Sequence, residues 1–180
     1  MEEQKPHEQK EDARAICGLI LGFLLGFLLV YSTLPVGSHP RELRERSLCA
    51  INLNSIGKGM VIFQAEHEDI FPPNLHTLVL EGETGLKMFV CPSAGTKHSL
   101  TTAPTDFREH CDYIFTLCNQ PAALPSDLLC AYELPLNHDQ EYVNWLYSDT
   151  HVAGAYGMSG FQVKVQKVND FLAEKRGGGQ

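Results

Sequence analysis

The sequence predicts an α+β fold in which an N-terminal transmembrane helix precedes one long helix packed on an antiparallel β-sheet. Three observations predict it. Residues 15–34 carry no charged side chain. Cys49, Leu53, Ile56, Met60 and Phe63 then repeat at steps of four and three, the spacing of one helix face. Beyond Pro72 the chain breaks into short apolar runs divided by Pro, Gly, Asn and Asp, as antiparallel strands and their turns do. A long helix followed by a series of strands is the pattern of an α+β domain.

The uncharged run reads Ile16-Cys17-Gly18-Leu19-Ile20-Leu21-Gly22-Phe23-Leu24-Leu25-Gly26-Phe27-Leu28-Leu29-Val30 at its centre. About 20 apolar residues, each rising ~1.5 Å, cross a hydrocarbon layer of ~30 Å. A helix satisfies its own backbone polar groups there, and Tyr31 lies where aromatic rings favour the interface. The run exceeds the roughly 7–15 residues of a signal-peptide core, and no small-x-small cleavage site follows it, so retention is expected. Gly18, Gly22 and Gly26 recur every four residues and share a helix face. Small residues at that spacing let membrane helices approach closely, so self-association through this face is expected. The domain plan is a disordered polar tail over 1–14, the transmembrane helix over 15–34, a globular domain over 35–176 and a flexible tail over 177–180.

Charge narrows the partners. The 180 residues carry a net charge of −8. From residue 35 onward there are 11 Lys and Arg against 17 Asp and Glu, a net charge of 11 − 17 = −6. Binding to phosphate backbones needs clustered basic side chains, and none occurs, which excludes nucleic acid as a partner. Lys5, Lys10 and Arg14 before the span balance Arg41, Arg44 and Arg46 after it, so basic residues leave the orientation open. A short leading tail and the cysteines both favour a cytoplasmic N-terminus. Five of the six cysteines (Cys49, Cys91, Cys111, Cys118, Cys130) follow the span, which suits an oxidising compartment. The alternative is that they are buried free thiols; an odd number leaves at least one unpaired or bridging two chains. Cys118 and Cys130 are the preferred pair, because the Asn119–Asp127 loop would set their strands side by side. Cys49–Cys91, helix to first strand, is the runner-up.

Within the globular part, Pro35, Gly37, Ser38 and Pro40 form a break. A helix is expected from about Arg41, with Gly57 and Gly59 weakening it but permitting close packing, and with Phe71-Pro72-Pro73 ending it. Strands are expected at Lys87–Cys91, Tyr113–Leu117, Leu128–Tyr132 and Phe161–Val165. Tyr142–Tyr147 and His151–Tyr156 read as a hairpin turning at Ser148-Asp149-Thr150, and Val168–Lys175 as a short closing helix.

These residues resemble a known pattern. Cys49-Ala50-Ile51-Asn52-Leu53-Asn54-Ser55-Ile56-Gly57, Phe71-Pro72-Pro73, Cys91-Pro92-Ser93, Asn137-His138 and Asn144-Trp145-Leu146-Tyr147-Ser148-Asp149-Thr150-His151-Val152 follow one another in order. The series resembles bacterial type IV pilin-like proteins, and more narrowly the pseudopilin-like family with a prepilin-type N-terminus and a C-terminal His-x9-Asp-Gly motif. It covers roughly residues 35–155. The matching positions are Cys49, Asn52, Leu53, Gly57, Pro72, Cys91, Pro92, His138, Asp149 and His151. The resemblance implies a pilin-like domain on a single-pass anchor in the inner membrane, facing the periplasm, with other pilin-like or secretion components as partners.

The departures are equally specific. Ten residues separate His138 from Asp149, not nine, and Thr150 stands where the family has Gly, which suggests a different turn type. Neither Gly22-Phe23 nor Gly26-Phe27 is followed by a Glu at the fifth position. Processing by a prepilin peptidase, and the subunit register that Glu sets in a filament, are therefore not expected.

One constellation has donor chemistry. His138, Asp149 and His151 offer two imidazoles and a carboxylate, a candidate divalent-metal set, against the plainer reading of an Asx turn beside a turn histidine. Asp139, Glu141 and Asp149 are too few for the roughly 6–8 oxygens of a calcium shell. No nucleophile has a base beside it, and no phosphate loop, Gly-x-Ser-x-Gly or Cys-x-x-Cys occurs. No cofactor and no catalytic residue are assigned. The expected function is a membrane-anchored structural or assembly protein of a secretion or pilus-type system; the alternative is a stand-alone tethered binding domain that kept the fold without polymerising.

Overall fold

The computed structural model describes residues 6–33, 39–94 and 100–177. Its two compact units, residues 1–38 and 39–180, are taken separately.

The first unit is α1, Pro6–Thr33. It starts at a proline, whose fixed φ suits a first helical turn, and it includes residues 6–14. Residues 1–5, residues 34–38 of the expected break and residues 178–180 of the expected flexible tail lie outside the described residues, while Pro40 and Gly177 lie within helices. Among the described residues no helix is long and apolar enough to cross a membrane. The side chains described in α1 are those of Ile16 and residues 18–32, short of the ~20 residues a span needs. Every large apolar side chain among them is exposed, from Ile16 to Tyr31.

The second unit has α+β architecture. Its elements in order are α2 (His39–Glu66), α3 (Leu75–Leu80), a 3-10 turn (Leu86–Phe89), α4 (Pro104–His110), β1 (Tyr113–Phe115), β2 (Leu129–Glu133), a second 3-10 turn (Pro135–His138), β3 (Tyr142–Tyr147), β4 (Val152–Tyr156) and α5 (Met158–Gly177). The strands form one four-stranded antiparallel sheet in the order β1-β2-β3-β4.

Side-chain alternation along β3 builds two layers on this sheet. Asn144 and Leu146 meet α2: the Asn144 amide donates to the Arg46 carbonyl, and Leu146 packs over Gly57. Trp145 turns the other way, its ring 6.1 Å from Phe161 on α5. The α2 stripe of Cys49, Leu53, Ile56, Met60 and Phe63 is buried throughout, as its spacing predicts. Gly57 serves a close approach: a Cβ there would lie 3.0 Å from Leu146 Cδ1. Gly59 does the same against the Thr84 hydroxyl. α2 ends at Glu66, ahead of the prolines, where Glu68 and Asp69 both take positive φ. Phe71 and Pro72 are buried beyond it.

Two expected strands are not strands. Phe161–Val165 lies within α5, because Phe161, Val165, Val168 and Leu172 repeat at helical steps, and this longer pattern outweighs five residues of alternation. Lys87–Cys91 holds a 3-10 turn and then a short extended stretch. It bonds Asp112 instead of a neighbouring strand: Asp112 N–H donates to the Phe89 carbonyl, and Cys91 N–H donates to Asp112 Oδ2 at 2.8 Å. The predicted hairpin forms in register, with Tyr142 opposite Tyr156 and Leu146 opposite Val152. Its turn corrects one expectation. Thr150 adopts φ 71°, the left-handed conformation a glycine there would favour, so the turn keeps that geometry without the glycine.

Candidate functional site

Four of the motif residues, Cys49, Asn52, Cys91 and His138, come together where α2 meets the 89–91 segment. Cys49, on the buried face of α2, is disulfide-bonded to Cys91, with Cα atoms 5.6 Å apart. One turn along, the Asn52 amide donates to the Val90 carbonyl at 3.1 Å, closing an orphan acceptor beside the bridge. Leu53 fills the core below, and Gly57 admits Leu146. Cys49 and Asn52 thus join α2 to the 89–91 segment, while Leu53 and Gly57 serve its packing on the core and the hairpin. Pro92 is exposed just past it.

His138 enters the same place from the 3-10 turn after β2, its Nε2 lying 3.9 Å from Cys91 Sγ. The same nitrogen lies 3.4 Å from Glu133 Oε2, and both side chains are 0% exposed. Glu133 closes β2, and Asn144 anchors it: the Asn144 backbone N–H and side-chain amide both donate to Oε1. Among the described residues neither Glu133 Oε2 nor His138 Nδ1 has a hydrogen-bond partner. The potential ligand atoms of Cys49, Cys91, Glu133 and His138 all lie within 4.8 Å of one another. An outer layer supports them. The His138 ring stands edge-on to Tyr142, at 6.0 Å between centroids. The buried Arg46 guanidinium lies 4.7 Å above Tyr142 and 4.5 Å above Tyr156, and pairs with Glu42.

The structure does not group His138 with Asp149 and His151, the set read from the sequence. His138 is buried with the disulfide and Glu133. Asp149 and His151 instead face solvent and bond each other, Asp149 Oδ1 to His151 Nδ1 at 2.5 Å. Asp149 also accepts the His151 backbone N–H at 3.1 Å, which is an Asx turn. Partial desolvation works against ionisation at Asp149, but the His151 backbone and imidazole outweigh it and lower the carboxyl pKa. Among the described residues the only group of three or more such donors is the buried one. Glu133 was missed in the sequence, where an acid ending an apolar run gives no sign of burial.

The preferred disulfide is corrected too. Cys118 is exposed, while Cys130 is buried, its Sγ 3.4 Å from Met60 Sδ. The register of β2 shifts between Leu129 and Ala131, and Cys130, which lies between them, faces Met60 on α2. Burial pushes the Cys130 thiol pKa up, and that of Cys111 up to about 12. Separately, Leu75, His76, Phe107, Cys111 and Phe115 line a cleft of about 490 Å³ between α3, α4 and β1. On α1, a Cβ added at Gly18, Gly22 or Gly26 would meet nothing.

No family model, no curated protein and no solved structure matches this chain.

Proposed function

We propose that this chain is a membrane-anchored, pseudopilin-like structural or assembly protein of a secretion or pilus-type system. The observation that supports the reading is α2 laid by a buried stripe onto a four-stranded antiparallel sheet, with Cys49, Asn52, Cys91 and His138 meeting at one joint. The uncharged run at 15–34 and the exposed apolar side chains described in α1 support the anchor. Such a surface is stable in lipid and costly in water. The domain then faces the periplasm, an oxidising compartment in which the Cys49–Cys91 bridge can form. The stripe of Gly18, Gly22 and Gly26 is the face on which α1 meets another helix.

A second reading, a tethered binding domain that does not polymerise, is favoured by the missing peptidase motif and by the α3–α4 cleft. A photo-crosslinker at Phe23 in the native host separates the two. Crosslinks to other pilin-like helices support assembly; crosslinks to lipid alone support the tethered domain. Recovery of the full chain in the soluble fraction would remove the anchor and both readings with it. Intact mass should show a chain starting at or near Met1; a methylated terminus 13–26 residues downstream would mean that prepilin processing does occur.

A further inference from the structure

We propose that Cys49, Cys91, Glu133 and His138 form a zinc site when the Cys49–Cys91 bridge is reduced, so that this joint has two alternative closures, a disulfide and a metal. The inference stands on the geometry of the second unit and does not depend on the anchor or on assembly.

Donor type comes first. Two thiolates, an imidazole and a carboxylate are a tetrahedral set suited to zinc, whereas calcium and magnesium require mostly oxygen. Geometry comes second. Bonds of about 2.0–2.3 Å in a tetrahedron place ligand atoms roughly 3.3–3.8 Å apart. The four ligand atoms here lie within 4.8 Å of one another, His138 Nε2 being 3.4 Å from Glu133 Oε2 and 3.9 Å from Cys91 Sγ. Once the sulfur–sulfur bond opens, small side-chain rotations bring all four to one centre.

Burial is the third argument. Glu133 and His138 are wholly excluded from solvent, yet Glu133 Oε2 has no hydrogen-bond partner among the described residues. A buried carboxylate oxygen aimed at an imidazole nitrogen and a sulfur is costly to leave so placed, and a cation among them supplies the missing partner. Finally, the surrounding layer already orients the ligands. Asn144 holds Glu133 Oε1 with two donors, leaving Oε2 for the cluster. Asp112 holds the Cys91 backbone, and Asn52 the adjoining Val90 carbonyl. Outer partners of this kind commonly set metal affinity by about 10–100-fold.

The exchange balances. A dithiol reductant delivers two electrons to the Cys49–Cys91 bond and leaves as its own cyclic disulfide. Both cysteines are released as thiols. Zinc then takes the two thiolates, and their two protons pass to solvent.

The full chain, extracted in detergent, would be reduced anaerobically with a phosphine, stripped of metal and titrated with Zn2+ and with Co2+. The expected result is one equivalent per chain, with a thiolate-to-cobalt band in the near ultraviolet and tetrahedral bands in the visible. Cys91→Ser and His138→Gln should each weaken binding by at least about tenfold, and Cys118→Ser should change nothing. The near-ultraviolet signal of Trp145 reports folding. If reduction alone abolishes that signal, its return on adding zinc supports the site, and a failure to return overturns it. A folded reduced chain without the cobalt band also overturns it, as does a band that survives Cys49→Ser with Cys91→Ser.

Discussion

His138 and Glu133 face each other at 3.4 Å with both side chains fully buried, while His151 and Asp149 sit closer, at 2.5 Å, with about half of each side chain exposed. The closer pair is the weaker one. His151 and Asp149 are two residues apart on a turn, water competes for both, and such pairs contribute about 0–1 kcal/mol. His138 and Glu133 come from consecutive elements but are enclosed by α2, the 89–91 segment and Asn144. Their desolvation is already complete, so any change in partner is felt in full. Enclosure, more than proximity, separates a structural centre from a surface turn.

Substitutions sharpen that contrast. The largest expected effect is at the bridge closing the buried centre. Replacing both Cys49 and Cys91 by Ala frees a loop spanning 42 residues of sequence. The loss is about 4 kcal/mol in the chain-entropy treatment, read as a lowered denaturation midpoint of the full chain in detergent. A variant as stable as the parent would mean that the bridge closes nothing of consequence. Next, Glu133→Ala strands the two Asn144 donors and His138 in a closed space. A loss of about 3 kcal/mol is expected, measured by the same unfolding curves. A loss below 1 kcal/mol would show that water reaches the cluster.

At the turn the expected effects are smaller and one is reversed. Thr150 is a β-branched residue at φ 71°. The left-handed region costs such a residue roughly 1–2 kcal/mol, partly offset by the greater freedom glycine has when unfolded. Thr150→Gly should therefore stabilise the domain by up to about 1 kcal/mol. Destabilisation instead would assign the dominant role to the contact between the Thr150 side chain and Gly57 on α2. The smallest effect is at Asp149, whose folded carboxyl pKa lies below its ordinary value of 3.8. A lowered folded pKa adds stability that is full above the unfolded value and is lost as pH falls through the folded one. Asp149→Ala should thus cost at most about 1 kcal/mol at neutral pH, with the titrating part of the difference vanishing below pH 3.8. A difference that grows on acidification would contradict the assignment.

The cysteines extend the comparison to chemistry. Alkylation of the native chain should label Cys118 first. Cys111 and Cys130 should follow only on unfolding, since burial raises their thiol pKa values. Cys49 and Cys91 should react only after reduction. Rapid labelling of Cys130 would mean that the packing of β2 on α2 opens readily.

Much of this was readable beforehand, and where reading failed the cause is local. The α2 stripe and the β3–β4 hairpin follow from periodicity over enough residues for one period to dominate. Residues 161–165 fit a strand and a helix equally well within five positions, and only Val168 and Leu172 decide for α5. Cys118 and Cys130 looked like neighbours because a loop joins their segments, but Cys130 faces inward to Met60 while Cys118 is exposed.

By itself, then, the sequence determined the α+β order, the buried face of α2, the hairpin register and the apolar run of α1, because each is carried by spacing along the chain. Only the tertiary structure decided which cysteines meet, that Glu133 is buried beside His138, and that Asp149 and His151 stay apart from it. Those outcomes depend on which side of a strand a residue faces after a register shift, and on what covers the strand's end. Contacts between α2, the 89–91 segment, β2 and β3 join positions up to about a hundred residues apart, as the Asn144–Arg46 bond does, and no periodicity along the chain records them.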